Sequence, residues 1–263
     1  MRRFVLALVL CLGGVACGRD GADPAPVDTT TPISTTAPVH APTTSTSAAT
    51  TTAPPVFDVE SLPPGASLVL GARESVPVFT DPGGTEPYRV LESTTLLGTT
   101  TVLIVLEGPA NGWAKVMLPG RPNGSEGWVR SDGMVLFVVE GRLVVDLSDR
   151  TLVYFEGEEE VLSTEVAVGS GRNPTPAGSF FVTDNVTMAD PGSPWGPHAL
   201  GLSARSETIT EFNGGDGIIG IHGTNNPGSI GEAASLGCVR VPNEVITLLH
   251  ELVRIGTPVE IRV

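Results

Sequence analysis

Apolar residues change their period twice along this chain. From residue 4 to about 12 they form one unbroken run; from 18 to 56 large apolar residues nearly vanish; after about 66 they return in short runs of β-branched character. SLVLGA, TTTVLIVLE, WAKVMLP and GWVRSD alternate with Gly, Pro and Asn turns up to Gly133, which is the spacing of a small all-β unit. A second β-rich stretch follows, MVLFVVEGRLVVDLSDRTLVYFEGEEEVLSTEVAVGSG, predicted as two or three hairpins. Helical spacing occurs in Asn243 to Ile255, where Val245, Ile246, Leu248, Leu249, Leu252 and Val253 recur on one face. Gly256 and Pro258 terminate it, and Thr257 to Val263 reads as a closing strand.

The first apolar run is preceded by two arginines and followed by Gly14, Val15, Ala16 and Cys17, the layout of an export signal and too short to span a bilayer. The small residues before Cys17 resemble the cleavage and lipidation box of bacterial lipoproteins, although Gly14 stands where Leu is usual. That resemblance implies a signal at 1–17 and a lipid on Cys17, anchoring an exported chain to the membrane on the side of the cell wall. Residues 18–57, rich in Thr, Pro, Ala and Ser, cannot bury enough apolar surface to fold. As a tether they would reach on the order of 120 Å in polyproline form and about 35 Å as a coil. His40 falls within the tether and carries no role.

Charge narrows the function. With 29 acidic against 15 basic residues the formal net charge is -14, which excludes a nucleic-acid surface of clustered Lys and Arg. Of three cysteines, Cys11 lies in the signal and Cys17 is the lipid site, so Cys238 stands alone in the folded part. An exported protein normally pairs its cysteines or lacks them, and a solitary one asks for a chemical reason.

A thiol becomes a useful nucleophile beside an imidazole. Of the histidines, His222 is the better placed, where a β run from Ile218 meets a Gly and Asn turn; His198 is the second choice, and His250 lies on the helix. Cys238 follows a glycine and precedes another β run in ASLGCVRVPN. Separately, each has a bland reading, a small buried thiol and a hydrogen-bonded structural histidine. Together they lie in IHGTNNPGSIGEAASLGCVR, which resembles the catalytic motif of L,D-transpeptidases of the YkuD type: His-Gly-Thr, then a Ser-x-Gly-Cys-Val-Arg box. PTPAGSF at 174–180 and DPGSPWGPHALGLS at 190–203 extend the likeness across 134–263. Leu236 departs from the many members that have His there.

The resemblance implies a mainly β fold, a YkuD-type β-sandwich with one C-terminal helix, and peptidoglycan stem peptides as substrate, cut before a terminal D-alanine. Cys238 would form the thioester, His222 would shuttle the proton, and the amides of Gly237 and Cys238 would receive the oxyanion. A backbone carbonyl, unidentified from sequence, would orient His222. Arg240 is expected to bind the donor carboxylate, to lower the thiol pKa or to anchor its own loop, three roles the sequence leaves open. Ser235, Thr224 and Gly223 would shape the substrate site, and His198 and Trp195 either line a wall or pack an ordinary loop. No cofactor is implied, and the scattered ligand types supply no metal site.

VFTDPGG and GPANGWAKVMLPGRPNGSEGWVRSDG, within 58–133, resemble a bacterial SH3-like small barrel. Trp113 and Trp128 there are read first as core or strand-pairing residues. Turn-rich sequence near 133 predicts that 58–133 and 134–263 fold separately. Two rivals remain, an L,D-carboxypeptidase with the same Cys238 and His222, and a non-catalytic wall-binding lipoprotein.

Overall fold

Two β-sheets carry nearly all the regular structure, and their order explains where the site falls. In the computed structural model, residues 59–263 apart from Asn213 are described. The signal-like segment, Cys17, His40 and the tether lie outside the described residues.

The first sheet contains β1 (Ser67–Gly71), β2 (Val76–Phe79), β3 (Arg89–Leu91), β4 (Val102–Ala110), β5 (Trp113–Met117), β6 (Glu126–Arg130) and β7 (Val135–Val139). Their order is β3-β2-β6-β5-β4-β1-β7. Alternating burial on β2, β5 and β6 sends Val78, Val116 and Val129 into one core with Leu68, Leu70 and Leu103. Trp113 is buried edge-on to Phe79 with centroids 5.2 Å apart, and Arg130 lies 4.6 Å over its ring, so this tryptophan is a core residue. Trp128 is half-buried on β6.

The second sheet begins with a meander, β8 (Gly141–Asp146), β9 (Thr151–Glu156) and β10 (Glu159–Glu165). It continues with the long β12 (Gly178–Thr187) and β13 (His198–Arg205), then β14 (Ile218–His222) and β16 (Val239–Arg240), while the short β11 (Val168–Gly169) and β15 (Ala233–Ser235) pair in parallel as a separate two-stranded sheet. Helix α1 (Asn243–Leu252) and β17 (Pro258–Arg262) complete the chain. The order β10-β9-β8-β17-β12-β13-β14-β16 places the last strand centrally, parallel to β8, and leaves β16 at an edge, parallel to β14. Helix α1 packs on β13 and β14 through Ile246 and Leu249, both fully buried. It ends three residues before the predicted Ile255, because Val253 is already extended while its N–H still closes the last turn on Leu249.

Two sequence expectations change. Val135–Val139 does not open the second sheet; β7 pairs along β1, from Ser67↔Val139 to Gly71↔Val135, so the sheets exchange at Glu140 rather than at 134. The two halves also share a buried cluster, in which Phe181 of β12 meets Val69, Val102, Ile104 and Val139 of the first sheet. Alternation on a strand marks a buried face but does not say which sheet covers it. Contacts accordingly group the described residues as one compact unit.

Candidate active site

Parallel pairing of β14 with β16 brings the histidine and cysteine segments side by side, with Ile221 opposite Val239 and His222 opposite Arg240. One residue before that paired stretch, the Gly220 N–H donates to Cys238 Sγ at 3.4 Å. His222 and Cys238 both line a cavity of about 310 Å³, and Arg240 is the one ionic side chain in that lining.

The turn bearing the thiol is fixed from two sides. Ser235, buried at the end of β15, donates its hydroxyl to the Cys238 carbonyl at 2.5 Å and accepts the Gly237 N–H at 3.0 Å. Thr175 donates to the Gly237 carbonyl at 2.8 Å while accepting the Gly169 N–H at 2.8 Å. Gly237 has φ +120°, and a Cβ there would sit 3.0 Å from Ile219 Cδ1, so only glycine fits. The Gly237 amide, expected to help receive an oxyanion, is thus committed to Ser235 within the turn.

His222 ends β14 and is buried. Its Nδ1 lies 2.6 Å from the Gly223 carbonyl. A carbonyl only accepts, so Nδ1 carries the proton and Nε2 is left as the acceptor. The orienting carbonyl therefore belongs to the next residue in the chain, and Asn243 keeps it there. Asn243 Oδ1 accepts the Thr224 N–H at 2.7 Å, and Thr224 Oγ1 accepts the Asn226 N–H at 3.0 Å. A side chain on Gly223 would collide with Asn243, at 2.4 Å from its Oδ1. Trp195 covers the imidazole at a centroid distance of 4.5 Å and is backed by Phe212 at 6.4 Å, so it lines the cavity wall.

Burial pushes His222 down to about 4, against the hydrogen bond to Gly223, and the Arg240 charge lowers it further. Burial raises the Cys238 thiol above its ordinary value, offset in part by the Gly220 N–H and by Arg240. Both shifts favour the neutral forms near pH 7, so the cavity holds a thiol and a neutral imidazole rather than a thiolate–imidazolium pair. Arg240 reaches the cavity with its Nε buried and without a hydrogen-bond partner.

His198 is not part of this cavity. It stacks on His250 of α1 at 3.9 Å, with Thr187 Oγ1 3.3 Å from its Nδ1, so neither histidine serves the thiol. Leu236 is about half exposed at the rim. Sequence reasoning missed Asn243, read only as a helix start, and gave Thr175 no role although its motif was noted.

A thiol and a neutral imidazole with a fixed tautomer, in a cavity lined mainly by apolar atoms, can together attack a carbonyl and hold an acyl group. In sequence comparison the YkuD family, the L,D-transpeptidase catalytic domain, matches residues 140–261. YkuD of Bacillus licheniformis is 38% identical over 120 residues, covering 46% of this chain and 64% of that protein. YkuD of Bacillus subtilis strain 168 is 32% identical over 125 residues, covering 48% of this chain and 68% of that protein. The chain belongs to the YkuD-type L,D-transpeptidase family. It spans about two thirds of the length of these two relatives, 64% and 68%. Among solved structures, the L,D-transpeptidase from Mycobacterium smegmatis aligns with 63% of this chain and 92% of its own, at 16% identity and a TM-score of 0.39.

Proposed function

We propose that the chain is a peptidoglycan L,D-transpeptidase that carries its acyl intermediate on Cys238. The observation that supports this most is the fixed tautomer of His222, whose proton on Nδ1 faces Gly223 and leaves Nε2 as base in the cavity of the thiol.

As Cys238 Sγ bonds to the carbonyl carbon of the third stem residue, His222 Nε2 takes the thiol proton. The Cys238 N–H, rather than that of Gly237, is assigned to the developing oxyanion. Collapse breaks the C–N bond, the D-alanine amine leaves with the proton from His222, and a thioester remains. An acceptor amine then attacks, its proton passes to Nε2 and on to the departing thiolate, and the cross-link is released. Arg240, which lines the cavity and whose buried Nε has no hydrogen-bond partner, is assigned to the donor carboxylate.

The sequence features beyond the catalytic domain complete the reading: an SH3-like first unit, a lipid on Cys17 and residence in the envelope. Purified protein incubated with a stem tetrapeptide, with and without an amine acceptor, tests the reaction. Free D-alanine plus a cross-linked product supports it; tripeptide with no cross-link at any acceptor concentration would make it an L,D-carboxypeptidase instead, and no D-alanine release would refute both.

A further inference from the structure

We propose that Arg121 and Asn123, on the loop between β5 and β6, are positioning residues that hold one wall of the Cys238 cavity, so that the first sheet takes part in binding substrate. The inference rests on the transpeptidase reading of that cavity.

Ser206, Ile209 and Gly217 also line the cavity. They lie on the connection from β13 to β14, two limbs joined by the Ser206 N–H to Gly217 carbonyl bond at 2.8 Å. An ion pair between Arg205 Nε and Asp216 Oδ1 spans 2.7 Å but is too poorly aligned to be a hydrogen bond. Within the outgoing limb the Ser206 hydroxyl accepts the Ile209 N–H at 3.0 Å, and the Thr208 hydroxyl donates to Asn173 Oδ1 at 3.1 Å, the limb's one side-chain hydrogen bond to the rest of the second half among the described residues.

From the first sheet, one guanidinium bridges both limbs. Arg121 donates to the carbonyls of Ser206 at 2.6 Å and Ile209 at 3.1 Å on the outgoing limb, and to that of Asp216 at 2.7 Å on the return. Gly217, at φ +72°, lets the two limbs approach: a Cβ there would collide with the Ile209 carbonyl oxygen and press on the guanidinium at 3.0 Å. Asn123 acts as a strand partner would, donating to the Arg205 carbonyl at 2.8 Å and accepting the Arg205 N–H at 2.8 Å. The Gly120 N–H donates to the Ser203 carbonyl at 2.9 Å. Only a planar fork reaches three carbonyls on two limbs at once, so the separation of those limbs, and with it the cavity width, depends on Arg121. Cys238, His222 and the groups that fix them sit on other elements, so losing the clamp should weaken substrate binding more than chemistry.

The full-length chain, Arg121→Ala, Arg121→Lys, Asn123→Ala and Val69→Ala decide the matter. Val69→Ala loosens the cluster shared by the two sheets without touching the wall. Removing hydrogen bonds to an ionised donor should raise KM for a stem tetrapeptide about tenfold in Arg121→Ala, with kcat changed less than about twofold. Asn123→Ala should follow in the same direction and Arg121→Lys should recover part of the loss. Val69→Ala should lower Tm with KM unchanged. Hydrogen exchange in 205–212 should accelerate in Arg121→Ala and not in Val69→Ala. Faster exchange with an unchanged KM, or unchanged exchange, overturns the proposal. Should the wild type not turn over the tetrapeptide, the functional reading fails, and exchange in 205–212 together with the rate of Cys238 alkylation by a maleimide still decides the clamp: both must rise in Arg121→Ala.

Discussion

At Cys238 and His222 burial moves the two pKa values in opposite directions, and each shift has a measurable consequence. A buried thiol pushed up and a buried imidazole pushed down predict that alkylation of Cys238 by iodoacetamide stays slow through neutral pH and climbs only above the ordinary thiol pKa. A plateau of fast alkylation from pH 6 to 8 would show a preformed ion pair instead. Replacement of His222 by Ala should cost about 10² to 10⁴-fold in acylation, with partial recovery at high pH as thiolate forms. The same histidine links stability to pH. Its folded value near 4 lies below the ordinary 6.5, so the unfolded chain takes up the proton first. Stability is therefore complete above about pH 6.5 and is lost as pH falls towards 4, by about 3 kcal/mol. Urea unfolding at pH 7 and pH 4.5 should show most of that loss in the wild type and much less in His222→Asn.

Among the elements, β14, β16 and the turns after them account for the geometry, and here the sequence was only partly legible. The β run before His222, the β run after Cys238 and the amphipathic α1 were all readable, since burial period and terminating glycines signal them locally. The identity of the orienting carbonyl was not readable, because it depends on Asn243 closing on Thr224 from 19 positions away. Nor was the Gly237 amide's commitment to Ser235, which depends on how one turn closes rather than on residue type. Asn243→Ala leaves the Thr224 N–H without its acceptor, a cost of about 1–3 kcal/mol, and lets the Gly223 carbonyl drift from His222. Acylation should slow with it, and Asn243→Asp, which keeps an acceptor, should restore most of the rate; equal rates in all three would remove Asn243 from the site.

For the molecule as a whole, the expectation of two separately folding halves gives way to a shared core. Phe181, fully buried, would lose Val69, Val102 and Ile104 if the first sheet were removed, and β7 would lose β1. Uncovering a large apolar side chain costs about 1.5–3 kcal/mol before the exposed strand edge is counted. The 134–263 fragment should therefore show a lower Tm and a tendency to self-associate, measured by circular dichroism and light scattering; a Tm equal to that of the whole chain would contradict the shared core.

A covalent acyl group on Cys238 is visible to intact mass spectrometry after brief incubation of the protein with a stem tetrapeptide. The wild type should gain the mass of the tripeptidyl acyl group on Cys238, His222→Ala should gain it far more slowly, and Cys238→Ala should gain nothing. An adduct that persists in Cys238→Ala, or that forms in His222→Ala at the wild-type rate, would contradict the account.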